Sequence, residues 1–397
     1  FSPNLRWNAE LLYAETEGTS IGTQYSRTAL NQQSPSIGAI MFLINNPFLT
    51  DANRGALISA NPGFAQGQPL WLSRIFSGDL VPSPENTYTT ETVRFMTGLE
   101  GDFDAAGRNF YWSASASYAE VDGEQRGWDV DFAKFNNATF AFGSPTNPVC
   151  YINIDGDPTN DDPNCAPLNP FGYGNASQAA RDYVSVMAGN DYKNTQFDFL
   201  ATIGTELFTM PAGPVDVVLA YEHRKEEAEF TPLEANQLGI VGTGSVEVPS
   251  SGSYDTNELS AEFLLPLIGG DFTMPFAQEL EISGSYRYVD NSLVGEEDVW
   301  GIGARFMPFD GLTLRANRSR NFRAPNLNQL FAPTSTSFGA IGVDPCDADR
   351  IDAGPNPAVR RANCEAEWAA NPGYAPLATF QDFAENTPIA VVTSGGN

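Results

Sequence analysis

Nine stretches of this chain alternate apolar and polar residues with a period of two over roughly 9 to 13 residues. That period fits extended strands, whereas a helix face recurs every 3.6 residues. In Leu5–Tyr13, Leu5, Trp7, Ala9, Leu11 and Tyr13 share one face, and Arg6, Asn8 and Glu10 take the other. Trp112, Ala114, Ala116 and Tyr118 oppose Ser113, Ser115 and Ser117, and Val215, Val217, Leu219 and Tyr221 oppose Asp216, Ala220 and Glu222. Leu259, Ala261, Phe263 and Leu265 oppose Glu258, Ser260 and Glu262. Val93–Gly101, Phe197–Leu207, Leu280–Val289, Val299–Phe306 and Leu312–Arg320 follow the same rule. The chain is expected to be all-β.

Strands of this length exceed the 5 to 6 residues usual in globular sheets and match a tilted strand crossing a bilayer. Aromatic residues such as Trp7, Tyr13, Trp112, Tyr118, Tyr221, Tyr286, Trp300 and Phe306 sit toward strand ends, as interfacial girdles do. A soluble sandwich or propeller also alternates, so the links must discriminate. Short links at Asp102–Asn109, Phe208–Pro214, Leu267–Gln278 and Met307–Gly311 alternate with long ones at Val121–Lys193, Glu226–Asp255 and after Asn321, with a medium hairpin at Asn291–Asp298 on the long-link side. Short turns on one side and long loops on the other are the grammar of an outer-membrane barrel. Before Val93 the alternation reads as broken, and Leu70–Leu80 is the candidate for one additional strand there.

Composition narrows function. With 21 Lys and Arg against 49 Asp and Glu, the net charge is −28, which argues against a nucleic-acid partner. The longest nearly unbroken apolar run, Ile37–Ile44, is less than half of a spanning helix. Gly and Pro number 36 and 28 and suit turns and loops. The opening Phe1-Ser2-Pro3-Asn4 has no leader-peptide features, so the start is expected to be internal.

The stretch Arg315-Ala316-Asn317-Arg318-Ser319-Arg320-Asn321-Phe322-Arg323-Ala324-Pro325-Asn326-Leu327, with Leu330 and Phe331 beyond, resembles the signature of TonB-dependent outer-membrane receptors. Arg320, Phe322, Arg323, Pro325 and Asn326 carry it. Phe95–Gly101, Cys165–Gly172 (Cys-Ala-Pro-Leu-Asn-Pro-Phe-Gly) and Pro211–Arg224 agree with it in order. The resemblance implies an antiparallel transmembrane β-barrel of 22 strands with long extracellular loops, of which residues 1–397 would form part, without the plug, the energy-coupling box or the closing strands. It implies a receptor in the cell outer membrane that takes up a scarce nutrient, such as a siderophore, a cobalamin or an oligosaccharide, with energy from the TonB complex reached through the plug. A passive porin or adhesin, or a secreted glycan-binding β-protein or glycosidase, are the alternatives.

Cys150, Cys165, Cys346 and Cys364 lie in the long links, and local bridges Cys150–Cys165 and Cys346–Cys364 are expected in an oxidising setting. Zinc is a poor rival with one histidine in the chain. The run holding Asp155, Asp157, Asp161 and Asp162 offers several oxygens for calcium but lacks the EF-hand spacing, and a solvated acidic turn is the plainer reading. No other cofactor is implied. No catalytic group stands out: His223 reads as a rim residue, Glu258 and Glu262 as lumen-facing charge, and Gly301–Gly303 as a bend. Loop aromatics Trp71, Tyr151, Phe171, Tyr173, Trp368, Tyr374 and Phe380 are candidates to stack on a bulky ligand. Pro325 is expected to end the last strand, leaving Arg320 and Arg323 at the rim to hold the bridged loop beyond Ala332 by bidentate hydrogen bonds.

Overall fold

The structure, a computed structural model, describes residues 4–21, 25–27, 38–241, 246–332, 335–340, 345–346, 350–370 and 388–393. Its main element is a nine-stranded antiparallel sheet of β1 (Leu5–Ile21), β2 (Glu85–Ala105), β3 (Arg108–Val130), β4 (Ser185–Met210), β5 (Gly213–Pro232), β6 (Ser250–Ile268), β7 (Glu279–Asn291), β8 (Gly295–Phe309) and β9 (Leu312–Arg320). Each strand pairs with its sequence neighbour, and β1 and β9 form the two edges among the described residues. All nine expected strands are present.

Register keeps the two faces distinct. Trp7 lies opposite Leu99, which lies opposite Ala114, then Ala201, Tyr221 and Leu259 across successive strands. Large apolar side chains on this face stand open, with Leu11 at 72%, Leu259 at 59% and Leu314 at 52% exposure. A continuous exposed band of this size is incompatible with water and calls for lipid. The opposite face carries Glu10, Arg94, Ser115, Glu222, Glu258, Arg287 and Arg305, and Arg94–Glu10, Arg287–Glu258 and Arg305–Glu279 pair across strands. No described helix is long and apolar enough to cross a membrane.

At one end the links are tight. Ala106 and Gly107 adopt φ of 51° and 74°, the doubly positive pair of a two-residue hairpin whose twist matches its strands. Stacked Phe103 and Phe110, 5.3 Å apart, close the apolar band just above that turn. At the other end, outward tyrosines direct their hydroxyls to polar groups: Tyr13 donates to Glu15 at 3.2 Å, Tyr118 to Glu120 at 2.8 Å and Tyr221 to Asn257 at 2.9 Å. Such a row marks where lipid gives way to water.

Three expectations need correction. First, no strand is missing before Val93: β1 pairs directly with β2 along its whole length, so 22–84 is one more long link and the alternation is unbroken. Leu70–Leu72 and Arg74–Phe76 are three-residue strands inside that link, paired to Ile40–Phe42 and Tyr25–Arg27. Second, the strands run to 21, 23 and 26 residues in β2, β3 and β4, about 70–85 Å of chain at the usual rise. Residues 121–130 and 226–232 look like loop because charged and small residues break up any regular apolar face, yet they continue the ladder above the lipid band. Third, Gly301 and Gly303 are not a bend. They sit in regular pairing opposite Ser285 and Ser283, and a Cβ at 303 would come within 2.8 Å of Ser283 Oγ.

Candidate functional site

The long links build a folded cap at the loop end. Helix α1 (Asp51–Ala60) belongs to the first link, and α2 (Phe132–Thr139) and α3 (Gln178–Val184) to the second. Each begins at a side-chain cap, from Thr50, Asp131 and Ser177 respectively, which satisfies an otherwise orphaned backbone N–H. The two links share one hydrophobic core: Ile40, Phe76 and Leu80 from the first pack with Val130, Phe135, Ala138, Leu168, Ala180 and Val184 around the second. Phe135 is fully buried and meets the rings of Tyr25 and Phe76 edge-on at 5.0 and 5.5 Å.

Polar contacts tie the links together. Arg74 stacks 4.0 Å over Phe76, pairs with the buried Asp79 and donates to the Pro170 carbonyl, while the Gly174 N–H donates to Asp79 at 3.0 Å. Asp79 thereby accepts from both links, which is how a buried carboxylate is retained. The third link joins them: Phe132 N–H donates to the Ile240 carbonyl at 3.1 Å, and Asn236 accepts from Gly189 N–H at 2.9 Å.

Both disulfides pair locally, Cys150–Cys165 with Cα atoms 6.3 Å apart and Cys346–Cys364 at 5.8 Å. The acidic run folds as turns. Asp155 accepts from Asp157 N–H and the Asn160 amide, Asp157 accepts from the Thr159 N–H and hydroxyl, and Asp162 accepts from Asn164 N–H and the Tyr183 hydroxyl. The Thr159 hydroxyl holds the Asp157 carboxyl below its usual range, and burial pushes the Tyr183 phenol up, reinforced by Asp162. Asp161 is exposed, and no three potential ligands converge on a metal position among the described residues.

Of the candidate ligand-facing aromatics, Tyr151 joins Phe140 and Phe142 in a cluster with ring centroids 4.8 to 5.2 Å apart, directly after Cys150. Sequence reasoning misses Phe140 and Phe142, although their alternation before Asn147-Pro148 is a hairpin signal. Phe171 packs edge-on against Phe42 at 5.2 Å and supports the cap interior, whereas Tyr173 is 76% exposed. Trp368 lies on helix α5 (Pro357–Ala370), and Tyr374 and Phe380 fall outside the described residues.

The motif after β9 is held differently from expectation. Arg320 reaches Glu297 through one nitrogen at 3.0 Å, and no bidentate contact forms. Arg323 has no ion pair among the described residues and stands exposed. The ordering element is Asn326, which caps helix α4 (Leu327–Phe331) by accepting from Gln329 N–H at 2.8 Å while Gln329 accepts from Asn326 N–H at 3.1 Å. This reciprocal box needs Asn and Gln three residues apart and satisfies two backbone N–H groups at the start of the helix. His223 is a rim residue, its Nδ1 3.0 Å from the Asn257 Oδ1.

A two-faced antiparallel sheet with tight turns at one end and a folded cap at the other is the frame into which a comparison with protein families fits. The model for the TonB-dependent receptor-like β-barrel matches residues 8–360. The chain belongs to the TonB-dependent receptor β-barrel family. Comparisons with curated proteins and with solved structures returned no match. As a TonB-dependent receptor barrel, the chain is part of an outer-membrane receptor or transporter, a family that transports rather than catalyses.

Proposed function

We propose that this TonB-dependent receptor barrel captures a bulky nutrient at its extracellular cap and imports it with energy from the TonB complex, the nine strands being part of a 22-stranded barrel around a plug. The observation that carries the reading is the cap itself: two links folded around one core, presenting the Phe140–Phe142–Tyr151 cluster beside a disulfide. A pre-ordered aromatic surface loses little side-chain freedom on binding and offers flat faces to a ring-bearing ligand. Siderophore complexes, cobalamin-like cofactors and oligosaccharides all present such faces. The lumen-facing ion pairs, Arg6–Glu100 and Arg287–Glu258, each at 2.9 Å, give the solute a polar wall.

The test uses the full-length receptor in cells, with uptake of labelled members of the three ligand classes. One class should accumulate, and a protonophore or loss of TonB should stop it. Uptake that survives loss of TonB would make the barrel a passive porin. The double variant Phe142→Ala/Tyr151→Ala should lower uptake per surface receptor about tenfold, the value of one or two stacking contacts.

A further inference from the structure

The luminal face of β6 holds a feature that the family match does not explain. β6 keeps its pairing with β5 up to Ser250, but its pairing with β7 begins only at Thr256. The short β7–β8 hairpin is anchored there, where Ser292 N–H donates to the Asp255 carbonyl and Asp255 N–H to the Ser292 hydroxyl. Above that point β6 is an open edge, paired only with β5, which itself stays paired with β4 up to Pro232. Gly252 lies on its luminal face, two steps above Tyr254 and in line with Glu258.

Phe331, the last residue of α4, covers Gly252. A Cβ at residue 252 would lie 2.2 Å from Phe331 Cγ and 2.3 Å from both Cδ atoms, so only glycine leaves room for the ring. The surrounding residues, Ser250, Ser251 and Ser253, are small. Aromatic rings lying over strand glycines recur in this sheet at Tyr111 on Gly204 and Tyr192 on Gly123, a pairing that restores the packing a glycine forfeits. Here the ring comes from outside the sheet. The chain therefore turns back from β9 across the shorter β7 and β8 to reach β6.

The chain beyond Phe331 gives the contact its meaning. Three residues after Ala332, Ser335–Ala340 pairs antiparallel with Pro388–Thr393, and the segment between them contains the Cys346–Cys364 bridge and α5. Helix α4 is thus the foot of this two-stranded stem.

We propose that the Phe331 ring on Gly252 is a latch that roots the bridged last loop on the luminal wall at α4. Pro325 and the Asn326–Gln329 box preset the helix, and the glycine seat fixes where it lands. Release of the ring loosens the foot of the stem, because the main described contacts of this helix with the sheet are with β6 and β5. The latch gives the proposed capture function a specific loop-positioning residue, and it rests on that reading only for its role in uptake.

The experiment measures spin-label distances in the full-length receptor between Glu229→Cys on β5 and Ala366→Cys on α5, two exposed positions. The parent should show one narrow distance. Phe331→Ala, which removes the ring, and Gly252→Val, which blocks the seat with the ring intact, should both lose it, while Phe331→Leu retains it. Heat-modifiable migration in detergent gels checks that the barrel is folded. As an independent reading, Gly252→Cys combined with Phe331→Cys should form a disulfide, since the ring's attachment point lies within cross-linking reach. A narrow distance surviving in either Phe331→Ala or Gly252→Val, or no cross-link, overturns the latch. Uptake is recorded in parallel: a broadened loop with undiminished uptake leaves the latch standing and counts against capture by this loop.

Discussion

The barrel wall and the cap are built from one chain by opposite means. In the wall, Leu11, Leu259 and Leu314 stay open, and order comes from the hydrogen-bonded ladder and from lipid against one face. In the cap, Phe64, Phe76, Phe135, Leu80 and Leu168 are almost completely buried, and order comes from excluding water. The acidic excess of the chain does not sit mainly in the links. Carboxylates such as Glu15, Glu91, Glu120, Asp122, Glu227 and Asp255 occupy the strand extensions between the two regions, where both faces are wet. A residue's environment here depends on its height along a strand as much as on its hydropathy.

The largest effect is expected in the cap core. Phe135→Ala should cost about 3–5 kcal/mol of cap stability, the usual effect of removing a buried ring, yet leave the wall intact. Hydrogen exchange would show the links opening while strands β2 to β6 remain protected. Loss of protection in both would mean that cap and wall fold as one cooperative unit.

The wall responds to a different change. Ala201→Arg places a charge on the lipid face at a cost of about 2–4 kcal/mol near the midplane, so surface abundance should fall. Thr202→Arg, one residue on and turned to the lumen, should be tolerated. Equal loss for both would contradict the assignment of faces.

A smaller effect sharpens the cap alone. Tyr183 donates to Asp162 at 2.6 Å, and Tyr183→Phe should cost about 1 kcal/mol in cap unfolding. Burial, aided by Asp162, raises this phenol's pKa in the folded state. Its contribution is therefore complete below the ordinary tyrosine value of about 10 and is lost as pH rises beyond it. Cap stability in the parent should drop with alkalinity more steeply than in the phenylalanine variant.

The wall was legible in sequence because the membrane imposes the two-residue period directly: Trp112–Tyr118 and its serines state their faces without reference to any other segment. The extensions were not, because a strand with water on both sides loses its alternation, as at Glu120–Gly127. The cap was legible only in its cysteines. Its core joins Ile40 and Phe76 to Leu168 and Val184, partners far apart in the chain, and no local pattern announces such a meeting. The motif after β9 was visible, Asn326 included, but the reciprocal Asn326–Gln329 cap and the seat of Phe331 on Gly252 were not, because they depend on a short helix and a distant strand that no local pattern announces.

The central claim is that alternate residues of these strands face lipid and water. Nitroxide labels at Ala114→Cys and Ser115→Cys in the membrane-embedded receptor test it most directly, through relaxation by oxygen and by a water-soluble nickel chelate. The account predicts that the label at 114 responds to oxygen and the label at 115 to nickel. Equal nickel accessibility at both positions would contradict it.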